Sequence, residues 1–353
     1  MNFSSLLSDT QIVAIRNADL DGDQRHPAWP ILFGTDKRPM HHLVDQMARV
    51  IATEPQPRAS VQTMIDRAVA ISDYTDAAAA LAELRALGGL MEAGMAVRPI
   101  VAGKGRGATA DFEVDAGDGP VIVEVHAKHE DGDQTARRRA IAAGETPAGV
   151  ERRSTRFGDR VITSTTSVSH PGGSPDPAKP HDSVQANVIS KLCAVKSSEH
   201  QQQRDLPFVL WLDLCHFGAM THTLLEQAHP LISGHMGLTS GAIWYAFYGW
   251  KGAPILEEGS PRKVLMGHDG RFRQRGERKS RVTAVIVATD GGSFLLENPW
   301  CERRLPVQFR RRCERLPWFN LNASVADWTP KESEALVKLQ EARIAKLATA
   351  RLE

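Results

Sequence analysis

Cysteine is scarce: Cys193, Cys215, Cys301 and Cys313 are the only four in 353 residues. They are too few and too scattered for a disulfide framework, and no C-x-x-C pair exists to suggest structural zinc. Long apolar runs are missing as well. No stretch of about eighteen apolar residues occurs, so a membrane-spanning helix is not expected, and Met1 to Ile15 lacks the basic-then-apolar build of a signal peptide. Nor does one sign of charge dominate. Lys and Arg total 43 against 42 Asp and Glu, a formal net charge of +1. That balance excludes a histone-like or strongly acidic chain and leaves local basic patches open. These absences lead to the expectation of a soluble, cytoplasmic protein of a reducing compartment.

What is present is ordinary for a globular chain, with 42% hydrophobic and 24% charged residues. The length suits one large domain, or one core with elaborations, and no internal repeat is visible.

The first third reads as helical. His42 to Ala52 and Ala59 to Ile71 both space their apolar residues at a helical period. Asp76 is placed to cap a helix from Ala77 to Ala93, stopped by Gly94, with Gly88-Gly89 weakening its last turn. The period then changes to two. Strands are expected at Ala96 to Val101, Ala110 to Asp115 and Pro120 to Lys128, the last two joined by a Gly117-Asp118-Gly119 turn. His129 to Pro180 is rich in Gly, Pro, Ser and Arg and reads as a flexible insertion with one strand at Val161 to Val168. A helix follows from Asp182 to about Gln203, then strands at Leu206 to Leu214, Ala242 to Tyr248, Val282 to Ala288 and Ser293 to Glu297. Lys331 to Leu352 closes the chain as an amphipathic helix. The pattern predicts an α/β protein with a mixed sheet flanked by helices. Residues 1–75 form its helical N-terminal region, 76–300 its core with the insertion at about 129–180, and 301–353 a basic segment with the C-terminal helix.

The chemistry concentrates between Ala110 and Lys128. On the first strand Asp111, Glu113 and Asp115 share one face. On the second, Val121, Val123, Val125 and Ala127 are apolar, while Ile122, Glu124, His126 and Lys128 look the other way. An antiparallel hairpin therefore brings Asp111 or a neighbouring acid beside Glu124, with a His and a Lys further along. Two such carboxylates suit Mg²⁺, which takes hard oxygen ligands and keeps several waters. A nearby imidazole or ammonium can orient or deprotonate one of those waters. The same alternation also fits any half-solvated hairpin.

The ordered set of features resembles the PD-(D/E)XK nuclease superfamily, the restriction endonuclease-like fold. Leu81-Ala82-Glu83-Leu84 to Gly94 looks like its leading helix, where a glutamate often faces the site. Asp111, in Ala-Asp-Phe-Glu-Val, matches the first metal-binding acid without the preceding proline. Glu124, in Val-Ile-Val-Glu-Val-His-Ala-Lys, matches the second. Asp182 to Gln203 looks like the following helix, whose Gln or Lys often reaches back, with Gln185, Asn187 and Lys191 as candidates. Leu206 to Leu214 looks like the next core strand. The likeness covers roughly residues 76 to 215 and, at its widest, the strands to 300.

The resemblance implies Mg²⁺-dependent hydrolysis of phosphodiester bonds in DNA, with RNA not excluded and Mn²⁺ able to substitute. It implies Asp111 and Glu124 as metal ligands, and Glu83, Gln185 and Lys191 as accessory. The family's Glu-x-Lys would put Lys at 126, where this chain has His126. Lys128 lies two residues on, about 6.6 Å further along a strand. Three alternatives follow: a migrated lysine, a His126 acting itself with its ordinary pKa near 6.5, or a degenerate site that binds nucleic acid or a protein without cutting. The resemblance leaves a homodimer or a host-defence partner open.

Basic segments are candidates for a phosphate grip. Arg262 to Arg281 holds eight Lys or Arg against Asp269 and Glu277. Lys104, Arg106, Arg271, Arg273 and Arg275 are the expected contacts, with Phe272 as a base-stacking ring. A second cluster comprises Arg303, Arg304, Arg310, Arg311, Arg312 and Arg315, and a third lies in the insertion. Each also fits solvated faces paired with acids. Cys215-His216 suggests a thiol site in an unrelated small-molecule enzyme, although a buried cysteine is the plainer reading. Trp211, Trp244, Trp250, Trp300, Trp318 and Trp328 read as core or interface packing.

Overall fold

A computed structural model describes residues 2–18, 25–34, 39–53, 58–100, 110–129, 150–157, 160–167, 182–194, 205–217, 226–234, 237–257, 264–273, 280–324 and 330–350, with 136, 140, 143 and 145. The Gly103 to Gly107 loop, Arg137 to Arg139, Arg275, Trp328 and the expected helix beyond Ala194 lie outside these residues.

The N-terminal region holds α1 (Asp9–Asn17), α2 (Trp29–Phe33), α3 (Pro39–Thr53), α4 (Arg58–Ala68) and α5 (Tyr74–Glu92). Ser8 opens α1 with a reciprocal capping box to Gln11, satisfying two backbone donors at once. The cap of α5 is Asp73, which accepts from the N–H groups of Thr75 and Asp76. Asp76, expected in that role, instead stands in the first turn, where its charge also favours the helix N-terminus. Gly88-Gly89 does not end the helix early. A Cβ on Gly88 would sit 2.2 Å from the Leu43 carbonyl oxygen of α3, so the absent side chain lets two backbones touch. Gly88→Ala should therefore lower stability by at least about 2 kcal/mol through overpacking, read by denaturant unfolding.

Next come β1 (Ala96–Pro99), β2 (Phe112–Asp115) and β3 (Pro120–His129), an antiparallel meander. The insertion holds a hairpin, β4 (Val150–Phe157) and β5 (Arg160–Ser167), where only one strand was expected. Then α6 (Val184–Cys193) leads to β6 (Phe208–His216), which runs parallel to β3. A short hairpin, β7 (Leu231–Gly234) and β8 (Gly237–Ser240), precedes α7 (Ala242–Tyr248). That segment was expected as a strand. Its aromatic run scores for β structure, but it is too short to separate a buried strand from a buried helix by period, and packing decided it. After β9 (Pro254–Ile255) and β10 (Val264–Leu265) come β11 (Val282–Thr289), β12 (Gly292–Glu297), α8 (Val307–Cys313) and α9 (Pro330–Ala350).

The main sheet has six strands in the order β1-β2-β3-β6-β11-β12, with β3, β6 and β11 parallel and the rest antiparallel. It is a mixed sheet between two helical layers. One face (Val121, Val123, Val209, Trp211, Ile286) meets α3, α4 and α5, together with Phe309 and Leu316. The other (Ile122, Leu210, Leu212, Val285, Val287) meets α6 and α7. Burial on both faces explains why β6 and β11 read as almost unbroken apolar runs. Among the described residues no helix is long and apolar enough to cross a membrane.

Candidate active site

The meander creates a notch. β2 pairs with β3 only from Asp115↔Pro120 to Phe112↔Val123, and β3 then continues six residues alone on that edge. Asp111 stands just outside β2, in the position that would oppose Glu124. Its Oδ2 accepts the Val125 N–H at 2.7 Å, replacing the ladder bond that β2 no longer supplies. The carboxylate thus ends the ladder and is fixed beside Glu124 by the same bond.

Glu124 is 6% exposed. Its Oε1 lies 2.9 Å from His126 Nε2. Its Oε2 is buried with no hydrogen-bond partner among the described residues. An unpartnered carboxylate oxygen in a protein interior costs several kcal/mol unless something cationic or protic meets it.

Glu83 reaches the same neighbourhood from α5. Arg67 of α4 binds both its oxygens at 3.0 Å and grips Asp76 with its other edge, at 2.6 Å through Nη2. Burial pushes the Glu83 carboxyl up from its ordinary range, and Arg67 opposes that shift. Asp111 is pushed up to about 7, first by burial and then by the charges of Glu83 and Glu124, while the Val125 N–H and Arg67 pull it down. Three carboxylates share one poorly hydrated neighbourhood, which holds the Asp111 proton up to near neutrality.

The remaining candidates fall elsewhere. Lys128 Nζ donates to the Ala194 carbonyl at the end of α6, 2.6 Å away. Burial and the neighbouring Lys191 push it down to about 8. Lys191 sits 5.3 Å from the centre of the Phe217 ring. Gln185 is buried and donates to Gln227 Oε1, 2.9 Å away, and to the Ser240 carbonyl, so its amide joins α6 to β8. The hydrogen bonds of Lys128 and Gln185 thus lead away from Asp111 and Glu124.

The expected phosphate grip around Phe272 is corrected. Phe272 is 1% exposed, wedged between Phe247 and Tyr248, and cannot stack on a base. Arg273 pairs with Glu341 of α9 and lies over the Trp300 ring at 4.4 Å, so it docks the C-terminal helix. Arg271 is buried too. A run of basic residues looks the same whether its guanidinium groups meet phosphates or the protein's own acids and rings. Lys104, Arg106 and Arg275 lie outside the described residues. Cys215 is half-buried, and the enclosure of its thiol pushes it well above its ordinary range, which opposes a thiolate nucleophile.

Three residues with side-chain partners in this region escaped the sequence reading. Arg67 carried no signal beyond being one arginine on a helix. Arg85 and Asp213 did carry one, since an aspartate inside the apolar run Leu206 to Leu214 must find a buried partner. They pair at 2.8 and 3.0 Å, each 1% exposed, across 128 residues of sequence.

Comparison with protein families, with curated proteins and with solved structures gives no match to this chain.

Among the described residues no group of three or more His, Cys, Asp or Glu side chains is arranged to hold a metal ion. A closed structural site of the zinc type is therefore not formed by them. Two carboxylates are a different donor set. They suit Mg²⁺, which is commonly held by one or two carboxylates while its other positions stay with water or phosphate oxygens. The orphaned Glu124 Oε2 and the crowded charge at Asp111 fit that ion.

Proposed function

We propose that the chain is a metal-dependent nuclease hydrolysing phosphodiester bonds in DNA, with RNA also a candidate. The observation that carries this reading is Glu124 Oε2, buried without a hydrogen bond, beside an Asp111 held at the open end of the β2–β3 ladder. The succession α5, β1-β2-β3 meander, α6, then β6 parallel to β3 supports it, because a restriction endonuclease-like core is expected to run in that order. Asp111 and Glu124 would hold Mg²⁺, or Mn²⁺ in its place. When bound, the ion would supply positive charge for a phosphoryl oxygen and acidify water beside it.

The chain's own residues do the rest. Glu124 Oε1 accepts from His126 Nε2, which fixes the imidazole and its tautomer and leaves Nδ1 as the proton acceptor for an attacking water. His126 thus takes the place that a lysine would have, while Lys128 is engaged at the end of α6. Arg67 keeps Glu83 beside the pair without letting it close the site.

Proton and metal compete for Asp111. With that carboxyl raised to about 7, Mg²⁺ affinity should fall about tenfold per pH unit below pH 7 and level off above it. Calorimetric titration across pH 5 to 8 reads the slope, and a flat profile would remove Asp111 from the ligand set.

The main test is cleavage of plasmid, linear duplex and single-stranded DNA and of RNA with Mg²⁺ or Mn²⁺, beside an EDTA control and Glu124→Ala. Metal-dependent cutting that disappears in the variant supports the reading, and equal cutting by both overturns it. A second reading, a non-cutting member of the same fold that binds nucleic acid or a protein, is favoured by Lys128 being committed to Ala194. It predicts binding without cleavage by the folded wild type.

A further inference from the structure

The region around Trp318 is unlike the other tryptophan sites described. Trp211 and Trp244 are buried, and Trp250 and Trp300 are half-buried against Tyr245, Tyr248 and Arg273. Trp318 is 55% exposed. Among the described residues it is also the one non-glycine with positive φ, at 52°. For a bulky aromatic that conformation is costly and persists only when its surroundings enforce it.

The enforcement is visible. The Trp318 carbonyl accepts the Ser293 N–H at 3.2 Å, and the Asn320 N–H returns to the Ser293 carbonyl at 2.7 Å. Gly292 sits so close that a Cβ there would be 2.4 Å from the Trp318 oxygen. The backbone is thus clamped to the start of β12 while the indole projects outward. Its ring contact is His42 of α3, nearly parallel at 22° with centroids 6.1 Å apart. Packing against the protein's own core does not account for a strained, clamped and solvent-facing tryptophan.

Exposed arginines precede it closely in the chain. Arg311 on α8 and Arg315 just after it are exposed and precede Trp318 by seven and three residues. Other members of that cluster are used internally: Arg310 binds Glu297, and Arg304 donates to the Asn298 and Pro299 carbonyls. The exposed ring therefore follows, within seven residues of sequence, the two arginines of α8 and its end that the fold leaves at the surface.

We propose that Trp318, with Arg311 and Arg315, forms a stacking subsite for an unpaired nucleotide strand. A base would lie on the free face of the indole and the arginines would meet the adjacent phosphates. Flat apolar rings accept any base, and guanidinium groups neighbouring them supply the charge that a nucleic-acid strand requires. The inference rests on the nucleic-acid part of the function proposed above. It puts the strand contact on α8 and the β12 clamp, and not on the buried Phe272.

The test is binding of a fluorescent oligo(dT) and of a duplex by the full chain in EDTA, measured at several salt concentrations. Trp318→Gly removes the ring and relieves the positive φ, which glycine tolerates. The expected result is oligo(dT) affinity down roughly fivefold to a hundredfold with a melting temperature equal to or above wild type. Arg311→Ala and Arg315→Ala should each flatten the salt dependence by about one phosphate contact. Unchanged oligo(dT) affinity in Trp318→Gly overturns the proposal. So does a lowered melting temperature, which would make the ring a packing element, or loss of a dimer with no effect on the oligonucleotide. Cleavage with unchanged affinity sinks this inference alone, whereas Trp318-dependent binding without cleavage sinks the nuclease reading alone.

Discussion

Asp111→Asn is expected to abolish the proposed metal-dependent cleavage, by roughly a thousandfold or more, and to make the protein more stable. The two effects share one cause. The Asp111 carboxyl is raised from 3.8 to about 7 because its charge is poorly hydrated and close to those of Glu83 and Glu124. The sign follows from linkage. Below about pH 4 the group is protonated folded and unfolded, and nothing is lost. As pH rises towards 7 the unfolded chain ionises and the folded one resists, so stability falls, and above 7 the full cost is present. At about 1.4 kcal/mol per unit the ceiling is on the order of 4 kcal/mol, and partial hydration lowers the net figure to about 1–2 kcal/mol. Asparagine keeps an oxygen to accept the Val125 N–H, so the ladder end survives. Thermal melts at pH 4 and pH 8 should coincide at the lower pH, and at the higher the variant should melt a few degrees above wild type. Glu124→Ala should lose cleavage to a similar extent. Stability gained together with activity lost marks a site built for a ligand, and a variant that loses both would indicate a structural carboxylate.

The second large effect belongs to the Arg85–Asp213 pair. Each side chain is 1% exposed, with bonds of 2.8 and 3.0 Å between α5 and β6. Removing one partner strands the other charge in the core, so Asp213→Ala should cost about 3–5 kcal/mol. That is a large part of the 5–15 kcal/mol by which domains are typically stable. Arg85 holds the Asp213 carboxyl below its ordinary range. Its stabilising contribution is therefore present above about pH 4 and is lost as pH falls through the depressed value. The double variant Arg85→Leu with Asp213→Leu should recover much of the loss, because replacing a buried pair by apolar residues is often neutral. Denaturant unfolding of the single and double variants reads the coupling. The pair also bears on the site, since α5 carries Glu83 two residues before Arg85. Loss of the anchor should reduce cleavage beyond what the unfolded fraction explains.

How much of this was legible depends on the range of the physics involved. Alternation along Ala110 to Lys128 settled the hairpin, because strand side chains alternate strictly and a glycine-rich turn leaves few other pairings. The placement of Asp111 opposite Glu124 follows from the same local geometry. Helical periods in residues 39–68 and the apolar runs at β6 and β11 were equally readable, each being a signal carried within a dozen neighbouring residues. Ala242 to Tyr248 was not, because a fully buried segment loses its period and its conformation is decided by what packs around it.

Tertiary structure alone decided which polar groups meet. The family resemblance made Gln185 a candidate for the site, yet Gln227 and the Ser240 carbonyl claim its amide. Arg271 and Arg273 lay in the most basic stretch of the chain, and the fold buried Arg271 and turned Arg273 onto Glu341 of α9 and the Trp300 ring, while Arg311, Arg315 and Trp318 stayed outside. Ion pairs and hydrogen bonds act over a few ångströms between residues that can be 128 positions apart, as Arg85 and Asp213 are. The chain's own sequence determined the central strands of its sheet, its hairpin and its two neighbouring acids, because those are carried by local alternation and apolar runs. The partners of its charges were set only when the sheet and its two helical layers closed.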